Sequence, residues 1–289
     1  MKDFPHSIFL IFLLAVGAAA IVSLSVKGWN YYLTPIDQRP FHPEYATMKP
    51  SGMYSHGLGI IGSVMIIVGV AIYSTRKRVR AFSHLGKLSW WLEFHIFLCL
   101  VGPVLVVYHT TFKSGGVAAI TLWTMLSVVG SGILGRFLYV LIPRNLNGTA
   151  LTIGEIESEI KNLGGVLQSS PIGSTMIEMI DKAFAPITRP TTVMQTVSTV
   201  FHLEMVKIQT NHNIQALITR SHASQLITKQ VRKAASTRAS LLQKSLVLAQ
   251  VERIFYFWHV IHLPFAIIMF VTLGLHVAVG IALGYRWIF

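Results

Sequence analysis

Four histidines lie at matched intervals inside apolar stretches of this chain: His95 and His109, then His262 and His276. Both intervals are 14 residues, 109 − 95 and 276 − 262. Fourteen residues turn an α-helix through about 1400°, roughly 40° short of four turns, and rise about 21 Å. Each pair therefore shares one helix face at two depths. Ionisable groups inside apolar spans are rare and usually functional. Neutral imidazole is a good iron ligand, so one imidazole from each helix at each depth makes two bis-histidine haem centres. A six-coordinate iron has no open position and suits electron transfer. Zinc would want about four ligands at one depth; these histidines split into two levels, and no Cys or Asp joins them. Hydrogen bonding across a helix interface is the structural alternative, but two pairs at one spacing favour a shared ligand.

Neighbouring residues extend the pattern. The interval from His259 to His276 is 17 residues, about 20° short of five turns, so His259 also lies on a compatible face. Equal spacing favours His262 as the ligand. His259 is then placed to bond a haem propionate or a quinone oxygen, and His56 is similarly placed near the outer level, where it leaves a third haem open. Arg136 is a partner for an inner propionate, or a side chain snorkelling to an interface. Glu93, two residues before His95, is a proton relay to a quinone or an interfacial acid. Gly57, Gly59, Gly62 and Gly69, with Gly130, Gly132 and Gly135, leave room for close helix approach or a flat macrocycle.

Five apolar stretches must position these groups, at about 7–26, 54–75, 89–112, 117–142 and 254–285, each long enough for roughly 30 Å of hydrocarbon. Of the 289 residues 53% are hydrophobic and only 12% are charged, about half the charged share of a soluble domain. The net charge of +13 lies mostly beside apolar spans, which argues for bilayer orientation rather than nucleic acid. "AVGAAA" in the first span resembles a cleavage region, but the apolar run is longer than a usual signal peptide and predicts a retained helix. The single cysteine, Cys99, excludes an intrachain disulfide and a cysteine-ligated iron–sulfur cluster. "TRKRVRAFSHLGK", with five basic residues and no acid, marks the cytoplasmic side. The N-terminus is then cytoplasmic, loop 27–53 external and irregular, and the C-terminus external.

Residues 143–253 carry twelve Lys or Arg against seven Asp or Glu and fall on the cytoplasmic side. Thr152 and Glu155 form a capping box, with Gly164 and Gly165 as a helix end. A second short helix is predicted near 174–184. From 192 to 253 there is no Pro or Gly, which predicts one or two long helices running towards the fifth span. This insertion is either a helical cap or a basic platform for a soluble partner or anionic lipid. His202, His212 and His222 do not share a face and read as surface histidines. The domain organisation is thus 1–142 with four spans, 143–253 as the insertion, and 254–289 with the fifth span: an all-α polytopic membrane bundle.

The H-x13-H pattern on the third and fifth spans resembles the dihaem membrane cytochromes b. That superfamily includes the cytochrome b of bc complexes, the ferric-reductase or NADPH-oxidase membrane domain, and cytochrome b subunits of respiratory oxidoreductases. The resemblance covers 54 to 285, and its specific part is the four histidines. The chain departs from the ferric-reductase pattern in lacking a flavin or nicotinamide domain. It departs from the bc-type pattern in its few helices and large insertion. The resemblance implies two non-covalent haem b groups held by His95, His262, His109 and His276. It further implies a quinone-reactive subunit in a bacterial inner membrane, serving the quinone pool. Partner subunits, a cytoplasmic iron–sulfur or flavoprotein or an external cytochrome, would supply the other redox centres.

Overall fold

The computed structural model describes residues 4–82, 84–116, 118–143, 150–220 and 225–284. Among them the fold is all-helical and has no strand: α1 (Phe4–Leu33), α2 (Tyr45–Met48), α3 (Met53–Arg78), α4 (Leu88–His109), α5 (Ala118–Leu141), α6 (Ile153–Gln168), α7 (Gly173–Phe184), α8 (Val193–Arg220) and α9 (Gln225–Ala282). The apolar parts of α1, α3, α4, α5 and α9 are long and apolar enough to cross a membrane. Two compact units divide the chain, at 133/134 and 260/261. The divisions fall inside α5 and α9 rather than at the changes of composition near 142 and 253.

In the first unit α3 and α4 pack antiparallel. A Cβ on Gly62 would lie 2.6 Å from the Gly102 carbonyl oxygen, and one on Gly102 would lie 2.8 Å from that of Gly62. Only glycine at both positions lets the two backbones cross this closely. Helix α1 runs parallel to α4: Gly17 faces Phe97 and Val101, and Ser25 Oγ meets Tyr108 OH at 2.6 Å. Helices α5 and α9 are antiparallel, since Thr121 Oγ1 donates to Thr272 O at 3.2 Å and Ser131 Oγ meets His262 Nδ1 at 2.6 Å. An apolar cluster joins four helices through Ile66, Val106, Met125 and Met269. Pro103 and Pro264 both lie inside continuous helices.

The loop expected over 27–53 begins later. Helix α1 continues through Lys27 to Leu33, because two rings of "WNYYL" turn inward: Tyr31 is fully buried and Tyr32 packs edge-on against Tyr108. The chain then folds back around Arg39, which is 4% exposed. Its guanidinium donates to the carbonyls of Thr34 (2.9 Å), Tyr32 (2.9 Å) and Thr111 (2.5 Å). A buried cation needs such acceptors. This one ties the end of α1 to the turn after α4, where Thr111 and Phe112 take left-handed φ values of 52° and 63°.

The second unit, Leu134–Val260, has its own core, with Ile156, Met176, Ile180, Leu203, Ile214 and Leu248 at its centre. The Thr152–Glu155 capping box opens α6. Gly164 and Gly165 do not end that helix. Gly164 is buried mid-helix, and a Cβ there would sit 3.3 Å from Arg238 Nη1. The missing side chain lets Arg238 reach the Ile160 carbonyl at 2.6 Å, while Nη2 clasps both Asp181 oxygens at 2.8 and 3.0 Å. Close approach, not termination, is the use of that glycine. Helices α8 and α9 run antiparallel: Gln243 Nε2 donates to Glu204 at 2.7 Å, and Arg232 to Gln215 at 3.2 Å. At 58 residues, α9 is about 87 Å long. His202 and His212 are exposed, as expected, and His222 lies outside the described residues.

A candidate paired-histidine site

Helix α4 presents both of its histidines to α3, and each ring is fixed by a carbonyl. His109 Nδ1 lies 2.9 Å from Ser55 O, and His95 Nδ1 lies 3.0 Å from Gly69 O. A carbonyl only accepts, so each Nδ1 carries the proton and each Nε2 keeps its lone pair. His262 is held by a hydroxyl instead. Ser131 Oγ lies 2.6 Å from His262 Nδ1 and 3.0 Å from Val128 O. Metal-bound histidines are commonly held this way, by a bond from the nitrogen that does not bind.

At one level the rings of His109 and His276 meet, with centres 6.5 Å apart and planes at 73°. Two imidazoles that each bound one metal at about 2 Å would have ring centres no more than roughly 6.4 Å apart. The observed spacing is of that order. His276 is exposed, which leaves open surface beside the pair. Behind His109, a Cβ on Gly59 would lie 2.8 Å from the imidazole Cγ, so glycine there is a condition for the ring to lie against α3. His56 joins the same level, its ring centre 6.1 Å from that of His109.

The other level is assembled differently. His95 is held to α3, where the Tyr73 ring lies over it with centres 5.2 Å apart. His262 is held to α5, with Gly132 beside its Cε1. The register is common to both levels: 276 − 109 and 262 − 95 both equal 167. Between the levels lies the cluster of Ile66, Leu122, Met125 and Met269. Among the described residues no group of three or more His, Cys, Asp or Glu side chains is arranged to hold a metal ion. Two imidazoles at a level suit a metal that brings its remaining ligands with it, as a porphyrin does.

The remaining expected residues lie as follows. Glu93 is partly buried, within the second turn of α4. Arg136 and His259 belong to the second unit. The Arg136 guanidinium lies 5.5 Å from the Tyr139 ring centre. His259 is exposed, with the rings of Trp258 and Phe255 at 5.3 and 6.1 Å. Of the glycines, Gly59, Gly62 and Gly69 lie in the α3–α4 contact and Gly135 lies under Trp258, whereas Gly57 and Gly130 face open space. Sequence reasoning missed Ser55 and Ser131 and gave Gly69 only a space-making role; the parts these three play rest on backbone carbonyls and one hydroxyl that no spacing rule singles out. It also set Cys99 apart, yet its Sγ is 3.6 Å from His95 Nδ1, one turn along α4.

No protein-family model, curated protein or solved structure matches this chain.

Proposed function

We propose that the chain is a polytopic membrane protein of the b-type cytochrome kind. It carries electrons across a bilayer through two haems, one held by His95 and His262, the other by His109 and His276. The observation that carries this reading is the His109–His276 pair, 6.5 Å apart, with the His109 Nδ1 proton committed to Ser55. Haem iron between two imidazoles supplies one-electron transfer. The protein's own part is to orient and insulate. The Ser55 and Gly69 carbonyls take the Nδ1 protons of His109 and His95 and raise the basicity of each Nε2, and the Ser131 hydroxyl holds the His262 ring. The apolar cluster of Ile66, Leu122, Met125 and Met269 packs between the levels.

The acid-free stretch Arg76–Lys87 sets its side of the bundle as cytoplasmic, which puts His95 and His262 on the inner side and the C-terminus outside. The setting is a bacterial inner membrane. A quinone from the membrane pool and a second redox subunit complete the path, because this chain carries no nicotinamide fingerprint, flavin domain or iron–sulfur motif. Glu93, at the inner end of α4, handles the quinone proton, and Arg136 neutralises an inner propionate. The chain thus serves as an electron-transfer subunit of a quinol or quinone oxidoreductase.

A non-redox reading draws on the same Nδ1 bonds, since a histidine that only ties two helices together also needs one. The two readings part at Nε2. The pyridine haemochrome spectrum of the purified chain decides between them: about two b-type haems per polypeptide support the cytochrome. No haem in protein made with ample haem supply leaves the histidines as packing groups.

A further inference from the structure

The second unit contains a cavity of about 310 Å³ where the chain leaves α5. One wall is apolar: Pro143, Leu151 and Leu241. Leu151 N–H donates to Pro143 O at 3.0 Å, which closes the loop at that edge. The other wall is one face of α9 carrying Ser236, Thr237, Ser240 and Lys244. Residues 236, 240 and 244 recur one turn apart, so their side chains line up along the helix. Some helical serines and threonines in this fold bond the carbonyl of the preceding turn, as Thr210 does to Val206 and Ser245 to Leu242. Ser236, Thr237 and Ser240 make no such bond, and neither they nor the Lys244 ammonium has a hydrogen bond or ion pair among the described residues.

The carboxylate that acts on Lys244, Glu204, is already bonded to Lys207 and Gln243, so three open hydroxyls and this partly buried cation, set against an apolar wall, suit a ligand that brings oxygen acceptors and negative charge. We propose that this cavity binds the phosphoryl group of an organic phosphate, with Lys244 as the counter-ion and the three hydroxyls as donors, while Leu151 and Leu241 cover the ligand's carbon atoms. A phospholipid headgroup and a soluble phosphate ester share this chemistry. The lipid source rests on the membrane reading above, because Pro143 follows the last turn of α5; the site itself does not.

The test compares the full-length chain with Lys244→Gln and with the double variant Thr237→Val, Ser240→Ala. In detergent, the thermal midpoint is followed while inorganic phosphate replaces chloride at fixed ionic strength. In a second arm, protein is extracted from phosphatidylglycerol or phosphatidylcholine vesicles, and retained lipid is counted by native mass spectrometry. A phosphate-dependent rise in the wild type, cut at least tenfold in apparent affinity in both variants, identifies a free phosphate ester. Retention of phosphatidylglycerol that both variants lose, without a phosphate effect, identifies the lipid. Identical behaviour of wild type and variants in both arms overturns the site. If Lys244→Gln fails to fold, the charge-neutral double variant carries the same comparison. Haem content is measured alongside, so an absent haem would count against the cytochrome reading and leave this result standing.

Discussion

The rings of His109 and His276 lie 6.5 Å apart at the ends of two helices that run in the same direction. Under the proposed function they share one iron. Replacing either with Ala should lower haem from about two to about one per polypeptide by pyridine haemochrome, while His95→Ala or His262→Ala should remove the other haem. Loss of both haems from every single variant, with helix content kept by circular dichroism, would contradict two separate sites.

His262 and His259 compete for one role, and their surroundings differ. Ser131 engages His262, whereas His259 packs among Phe255 and Trp258 in the second unit. Haem should persist in His259→Ala and fall by one equivalent in His262→Ala. Ser131→Ala should weaken retention of that same haem by roughly 10–100-fold, the usual effect of removing a bond behind a metal ligand. The opposite result for the two histidines would move the ligand by one turn.

Gly59 and Gly57 lie on the same helix but meet different surroundings. A methyl on Gly59 collides with the His109 imidazole, and one on Gly57 meets nothing within 4 Å. Gly59→Ala should therefore cost the haem of the His109–His276 level, and Gly57→Ala should leave both haems in place. Equal spectra for the two variants would show that the ring moves without penalty.

Arg238 is 8% exposed and is bound by the Ile160 carbonyl and the Asp181 carboxylate. Asp181→Ala removes the counter-charge and leaves the guanidinium buried, so it should destabilise the second unit by about 2–3 kcal/mol, the scale of a hydrogen bond to a charged group. Urea titration of the full chain in detergent, followed by circular dichroism, reads this as a lower midpoint. An unchanged midpoint would mean that Arg238 finds water once the acid is gone.

Lys207, by its hydrogen bond, holds the Glu204 carboxyl below its ordinary value, with Gln243 as a second donor. The contribution to stability is complete above the unfolded-state pKa of about 4.3 and is lost as pH falls through the lower folded-state value. Between pH ~5 and that value the thermal midpoint of the wild type should drop, and Glu204→Gln should flatten that part of the profile. Parallel profiles would assign the acid sensitivity to other carboxylates.

The five apolar helices, the capping box before α6 and the helical turn that carries each histidine were legible in the sequence, because each follows from local composition or helical period. The sequence also set the 14-residue interval on both α4 and α9, which no tertiary contact alters. It could not set which neighbour each ring faces. The partners of His95, His109 and His262 are two carbonyls and a hydroxyl supplied by α3 and α5, and a carbonyl carries no side-chain signature. Gly164 read as a helix end, since only the arrival of Arg238 from another helix reveals why a side chain is absent there. "KGWNYYL" read as loop, since its helical state depends on burial of Tyr31 and Tyr32 against groups far along the chain. Period and composition act within one helix, and the sequence by itself determined what they govern: which segments are helical and which turn of each helix carries an imidazole. The meeting of His109 with His276 and the bonds that hold three rings required α3, α5 and α9 to pack beside α4, because a hydrogen bond between helices exists only after both have been placed.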